Sequence, residues 1–394
     1  MLEIFNTLTR KKEIFKPCKE KNELPWETHW YQLRDNELLK LKGNLLKELI
    51  NLGKRKAGSL YKLAELLEMC YVDFWYVLKD QAELVSVKKL KKLASFLKIK
   101  YEYFNDKISE IRKGEVISIR NPKFPFNLAA KEGAVLLGNI VSDGCIYIDK
   151  KARNVMRTKY SAGTQEELEN FVNNINKVFG EVHFQKERQR NSTYLRIGSS
   201  IIGESLHKVG APVGNKSEIN PGVPWLIKEG SDELKKTYLR AIFDDEGSMG
   251  TGNGSLFITL SRAFHINNYL TSFQERLLNK IKLYFKERRF PDGYVMKSIE
   301  IKKAISLAPS LRSFLLETKP QLLLEESVLL HSFGIKNRLR NSVLNLTRNG
   351  NFSILSELRI QGKPNVLKFY RDINFGLTLK QTKLKKILLN KKWI

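Results

Sequence analysis

Two acidic residues, Asp143 and Glu246, close two nine-residue runs of one layout, Leu136–Gly144 and Leu239–Gly247. Each run is mainly apolar and ends in a carboxylate followed by glycine, and superposing them also sets Gly138 opposite Ala241. Small residues there let two helix backbones approach, so the repeat predicts two packed helices that bring their acids to one point. A terminal glycine suits the left-handed residue that ends a helix. An acid in a last turn stands at the unfavourable end of the helix dipole, and two such acids repel each other. A divalent cation removes both penalties, because hard cations take carboxylate oxygens. The expected chemistry is therefore that of Mg²⁺ or Mn²⁺ held between Asp143 and Glu246. Ordinary amphipathic helices with solvated acids would explain either segment singly, but not their shared register.

The rest of the composition narrows the partners. The chain has 394 residues, 42% of them hydrophobic, and a net charge of +27. Of that charge, +9 lies in residues 1–130 and +18 in residues 131–394, so the excess is spread over the molecule. Such a surface favours polyanions and gives salt-dependent binding by counterion release. The cysteines Cys18, Cys70 and Cys145 show no C-x-x-C spacing, which argues against a disulfide framework and a zinc site and fits a reducing compartment. The histidines His29, His183, His207, His265 and His331 are scattered. No apolar run reaches the roughly 18 residues of a membrane span, and the N-terminus does not read as a signal peptide. The expectation is a cytoplasmic, nucleoid-associated protein with no membrane partner.

The elements that must position the acids read as follows. Residues 1–28 form an irregular leader. Trp30 to about Leu52 reads as helix, broken by Gly53–Gly58. Ser59 caps a helix over Leu60–Leu67, a second runs Tyr71–Leu78, a third Lys88–Leu97, and a short element covers Tyr101–Ile108, giving an all-helical domain over residues 29–113. Residues 114–128, with Pro122 and Pro125, read as a linker. The first half, residues 129–228, continues from its acid helix into strands at Cys145–Ile148 and Met156–Ser161, a helix at Glu166–Phe179, strands at Val182–Glu187 and Thr193–Ile197, and a helix near Ile201–Lys208. The second half, residues 229–394, repeats the order with a strand at Ser255–Leu260, a helix at Tyr269–Phe285 and a strand at Val295–Ile301. A helical insertion at about 304–333, strands at Arg338–Leu346 and Ser353–Ile360, and helices at Pro364–Ile373 and Thr378–Leu388 follow. The fold class is α+β: a pseudo-twofold pair of αββαββα halves preceded by a small all-α domain.

The paired runs resemble LAGLIDADG motifs, and the order around them is similar to that of monomeric, two-motif LAGLIDADG homing endonucleases over about residues 129–394. Asn139 and Arg240 are polar where the motif is usually small or apolar, Glu246 replaces the commoner aspartate, and the 304–333 insertion has no counterpart in the first half. The resemblance implies a monomer with a saddle of antiparallel sheets on a long double-stranded DNA target, its strands in the major groove. It implies metal-dependent hydrolysis of phosphodiesters, with Asp143 and Glu246 as catalytic acids and Lys216 and Lys380, late in their halves, as the active-site lysines. The strands and turns hold suitable base readers in Gln185, Lys186, Arg188, Gln189, Arg190 and Arg196, and in Arg338, Arg340, Asn341, Arg348 and Arg359. Asp244 reads as a helix-surface or packing residue.

Leu60–Leu78 resembles a helix-turn-helix of the repressor type, with Tyr71, Asp73 and Tyr76 on the recognition helix and at least one of Phe74 and Trp75 in the core. Residues 1–17 resemble the start of a cysteinyl-tRNA synthetase, as if the frame lay within a mobile intron or intein; the ending Asn390–Ile394 lacks the His-Asn pair of intein cleavage. The leading expectation is thus a homing endonuclease. The alternative is a catalytically silent DNA-binding regulator, or an RNA splicing maturase, on the same scaffold.

Overall fold

The computed structural model describes residues 3–6, 11–14, 24–152, 154–189, 192–252, 255–286, 296–347 and 349–394. It is a mixed helix and sheet protein built on antiparallel sheets, as expected. The first half runs helix Lys131–Val141, strands Gly144–Asp149 and Val155–Ala162, helix Gln165–Phe179, strands Phe184–Gln189 and Ser192–Ile197, and helix Ser200–Lys208. The second runs helix Asp232–Glu246, strands Ser248–Gly252 and Ser255–His265, helix Ser272–Lys286, strands Asn337–Thr347 and Phe352–Gln361, and helix Lys363–Asp372, followed by Thr378–Asn390. In both sheets the strand after the acid helix lies at one edge, and the next strand pairs with the last strand of the half. The strand Met296–Glu300 lies where Val295–Ile301 was expected and adds a fifth strand to this sheet, and the insertion after it holds the helices Ile301–Leu307, Arg312–Glu317 and Gln321–Ser332. Two differences from expectation bear on the sheets. The second acid helix is followed by a hairpin, not by one strand. The predicted strand Val182–Glu187 is split, and its first part, Glu181–Val182, joins a different sheet.

The two acid helices pack where the repeat placed small residues. A Cβ added at Gly138 would lie 2.7 Å from Ala241 Cβ and 3.2 Å from the Tyr238 carbonyl oxygen. That approach excludes any larger side chain at Gly138. The terminal glycines act differently from expectation, because neither takes the left-handed conformation, and Gly247 sits at φ −71°. They are required by crowding instead. A Cβ would come within 2.8 Å of the Asn139 carbonyl oxygen at Gly144, and within 2.4 Å of that of Phe243 at Gly247.

The N-terminal region corrects the all-helical expectation. The helices Leu60–Leu66, Tyr71–Leu78 and Val87–Leu97 are present, and the Ser59 hydroxyl caps the first by accepting the Lys62 N–H at 3.1 Å. The predicted helix over Trp30–Leu52 is instead a short 3₁₀ turn at Trp30–Gln32, a strand at Leu38–Leu41 and a helix at Leu45–Ala57 that runs straight through Gly53. The strands Leu38–Leu41, Leu84–Ser86, Ile108–Lys113, Val116–Arg120 and Glu181–Val182 form one five-stranded sheet. The expected linker is therefore part of the fold, and its Phe126 stacks on Phe124 at 4.3 Å and meets Phe179 of the first half at 4.9 Å. The leader is not wholly irregular either. Glu3–Asn6 pairs with Lys11–Ile14, and Glu27–Thr28 pairs with Phe126–Asn127. One buried core spans the N-terminal region and both halves, and a second lies beneath the insertion. Among the described residues, no helix is long and apolar enough to cross a membrane.

Candidate active site and nucleic-acid interface

The first acid helix ends at Val141 with Asp143 just beyond it, and the second runs to Glu246. Asp143 is exposed and Glu246 half-buried. The Asp143 carboxyl is held above the usual carboxylate range, first by desolvation and then by the negative charges of Glu246 and Glu167.

The dipole penalty is met by the two lysines. Lys216 Nζ donates to the carbonyls of Ile140 (3.1 Å), Val141 (2.8 Å) and Gly144 (2.8 Å), and to that of Ser142. Lys380 Nζ donates to the carbonyls of Phe243 (3.1 Å) and Gly247 (2.8 Å), and to that of Asp244. In the repeat, Ile140, Val141 and Gly144 correspond to Phe243, Asp244 and Gly247, so each lysine plugs the same carbonyl cage at the end of its own acid helix. Cations at helix C-termini are favoured by the dipole. Burial pulls the Lys216 pKa down to about 8 and lowers that of Lys380. Their shown partners are helix carbonyls, and a cap explains their late positions without any contact to substrate. Lys216→Met or Lys380→Met is expected to cost about 1–3 kcal/mol of stability through the orphaned carbonyls, read as a lower denaturation midpoint.

The remaining acids hold the interface together. Asp245 accepts hydrogen bonds from Asn139 Nδ2 (3.0 Å), Tyr160 OH (3.1 Å) and the Ser142 hydroxyl, and burial pushes its pKa up to about 7. The polar Asn139, a departure from the motif, is thus a cross-helix donor. Asp244, read as a helix-surface or packing residue, accepts the N–H groups of Gly376 (2.8 Å) and Leu377 (3.1 Å), and burial raises its pKa to about 6. It anchors the turn that delivers Lys380. Arg240, the other departure, donates its Nε–H to the Ile373 carbonyl at 2.7 Å.

The donor set suits a hard cation. The oxygens are carboxylate oxygens, and burial first, then the Glu246 charge, raises the Asp143 pKa. Glu246 gives Oε1 to Arg262 at 2.9 Å, and Oε2 has no hydrogen-bond partner among the described residues. Among the described residues no three His, Cys, Asp or Glu side chains are grouped to hold a metal. A two-carboxylate site matches Mg²⁺, which keeps waters and takes phosphate oxygens, rather than an all-protein zinc cage.

A cleft of ≈ 770 Å³ has Glu246, Lys216, Lys159, Arg196 and Arg262 in its walls, and Asp143 is not among its lining residues. Strand register relates positions on the two sheets. Cys145, two residues past Asp143, pairs with Lys159, then Arg196, then Gln185. Ser248, two residues past Glu246, pairs with Thr259, then Arg359, then Arg338. Arg196 and Arg359 are therefore equivalent, as are Gln185 and Arg338. The Nε of each of these equivalent arginines is buried without an acceptor among the described residues.

Other expected readers fare differently. Lys186 and Arg188 stand opposite Leu195 and Thr193, on the reverse face from Gln185 and Arg196. Arg340 donates to Glu357 at 2.7 and 2.9 Å. Asn341 is buried and donates to the Leu315 and Thr318 carbonyls at 2.7 and 2.8 Å, a structural role that removes it from the interface. Arg190 and Arg348, and the side chain of Gln189, lie outside the described residues. On the helix Tyr71–Leu78, Tyr71, Trp75 and Tyr76 are exposed, Phe74 is core, and Asp73 is tied to Lys89 at 2.5 Å.

The sequence reading missed Arg262 and Glu326, although both break an apolar pattern. Arg262 stands on the strand face occupied by Ile258, Leu260 and Phe264, and Glu326 on the helix face of Leu322, Leu323, Leu329 and Leu330. A lone charge on a buried face signals a buried partner.

No family model and no curated protein matches the chain. Among solved structures it is similar to the homing endonuclease I-DmoI in complex with DNA and Mn, with 13% identity over 63% of this chain and 97% of that one, at a TM-score of 0.36. It is also similar to full-length DUF199/WhiA from Thermatoga maritima, with 13% identity over 68% of this chain and 65% of that one, at a TM-score of 0.33.

Proposed function

We propose that the protein is a site-specific double-stranded DNA endonuclease that hydrolyses phosphodiesters with Mg²⁺ or Mn²⁺ held between Asp143 and Glu246. The observation that supports this most is the pair of acids at the ends of two helices packed together at Gly138 and Ala241. A bound cation supplies Lewis-acid stabilisation of the phosphoryl oxygens and lowers the pKa of an attacking water. Asp143 and Glu246 contribute the ligand oxygens. Lys216 and Lys380 hold the helix ends in register beneath them. Arg196 with Gln185, and Arg359 with Arg338, offer donors at matched positions on the two sheets for phosphates and base edges on a long target. Tyr71 and Tyr76 offer a second contact beyond the saddle. Both acids belong to one chain, so a monomer suffices, and its place is at the nucleoid.

One observation favours the second reading, a catalytically silent DNA-binding regulator or a maturase. Glu246 has a structural partner in Arg262, so an acid at this position has a use without metal. Incubating the full chain with a randomised duplex library and Mg²⁺, then sequencing new ends, separates the two. Paired ends at one recurrent motif are the expected result. Selective retention of a motif without new ends would replace the nuclease reading with the binder. The N-terminal region shares its core with the rest, so its role in binding is tested with Tyr71→Ala and Tyr76→Ala rather than by deleting it.

A further inference from the structure

Arg262 sits on a strand face it shares with the buried Leu256, Ile258, Leu260 and Phe264. Its Nε and Nη2 donate to the two oxygens of Glu326 at 3.1 and 2.8 Å, and its Nη1 donates to Glu246 at 2.9 Å. Glu326 is fully buried on the inserted helix Gln321–Ser332. The division is unequal. A guanidinium carries one charge, and its fork matches one carboxylate in bidentate fashion. Glu326 takes the fork, while Glu246 receives a single directional bond. The half-buried Glu246 keeps its second oxygen for the cleft. The inserted helix is itself braced, since the neighbouring Glu325 accepts the Val223 N–H at 2.6 Å and faces Lys228 Nζ at 3.3 Å, on the segment joining the halves. Among the described residues the first half has no such device. By strand register from the acids, the position equivalent to Arg262 is Ala162, and Asp143 is exposed.

We infer that Arg262 is a positioning residue for Glu246, with Glu326 the counter-charge that keeps the guanidinium from neutralising that acid. The insertion thereby makes the two acids unequal, one preorganised for the cation and one free to turn. This rests on the metal-dependent reading above. Removing the charge of Glu326 releases the fork to Glu246, which then competes with the cation.

The test is Mn²⁺ binding to the full chain, followed by electron paramagnetic resonance, with thermal unfolding recorded for each variant. Asp143→Asn and Glu246→Gln define binding at the site. Glu326→Gln, and the apolar pair Arg262→Met with Glu326→Leu, then probe the positioning. Buried ion pairs replaced whole by apolar groups commonly keep their fold. Both variants are expected to bind Mn²⁺ about 10–100-fold more weakly, as when support behind metal ligands is removed. A merely structural role leaves the Mn²⁺ affinity of the apolar pair at the wild-type value, and that result overturns the inference. If the apolar pair does not fold, Glu326→Gln alone decides, with unchanged Mn²⁺ affinity as the contrary outcome. If wild-type binding is indifferent to Asp143→Asn and Glu246→Gln, the metal reading itself fails, and the inference falls with it.

Discussion

Asp143→Asn and Glu246→Gln are each expected to abolish Mg²⁺-dependent cutting, with a loss on the order of 10³-fold or more in single-turnover rate, while DNA affinity is retained. The separation follows from where each property resides. Affinity for a duplex comes mainly from cations placed against phosphates, and this chain carries its +27 charge over the whole molecule. Deleting one carboxylate removes repulsion rather than attraction. Cutting, by contrast, needs both ligand oxygens, and no third acid, histidine or cysteine is grouped with them among the described residues. Asn and Gln keep the shape and lose the charge. Unchanged cutting by both variants refutes the assignment of these acids. Parallel loss of binding and cutting would point to a damaged fold, which circular dichroism checks.

Gly138→Ala is expected to be far more harmful than a methyl group usually is in a helix. Alanine is the better helix former, so propensity favours the change by about 1 kcal/mol. The contact decides against it, because the new Cβ meets Ala241 Cβ at 2.7 Å with helix backbone behind both. Overpacking of this kind costs about 1–3 kcal/mol. Relief by parting the helices also moves the acids, and a shift of about 1 Å at reacting groups costs on the order of 10²-fold in rate. The reciprocal change, Ala241→Gly, removes the nearest opposing atom and leaves the 3.2 Å approach to the Tyr238 carbonyl, so the double variant is expected to regain part of both midpoint and cutting rate. Gly252→Ala is the control, since its Cβ meets only an ordinary 3.5 Å contact with Phe257. Rescue that fails in the double variant would show that the crowding lies elsewhere.

The acids were legible because two independent signals coincided: an apolar run with a carboxylate-glycine end, and its repetition in register. The alternating strands were legible for a similar reason. In Val155–Ala162 the buried Thr158, Tyr160 and Ala162 alternate with Lys159 and Ser161. The reason for the glycines was not legible, because the crowding comes from how the chain folds back on the last turn of its own helix, at Asn139 and Ile140 and at Phe243, and residue types alone do not give that geometry. The N-terminal sheet was missed where short strands abut helices. Leu38, Leu39 and Leu41 blend with Leu45, Leu46 and Leu49 into one apparent helical period, and only the positive φ of Gly43 separates them. Gly114 and the prolines read as a linker, yet Gly114, at φ +59°, is the turn of a hairpin between Ile108–Lys113 and Val116–Arg120. The lysine cages were invisible as such, since both cages are made of backbone oxygens. Arg262 and Glu326 were visible as isolated charges on apolar faces, but their partnership needed the fold of the insertion.

The most direct measurement is anomalous scattering from Mn²⁺ in crystals of the full chain bound to duplex DNA. The expected result is a peak shared by carboxylate oxygens of Asp143 and Glu246, with Arg262 still bonded to the other oxygen of Glu246. Duplex seated on the cleft with no Mn²⁺ between these acids would contradict the proposed function.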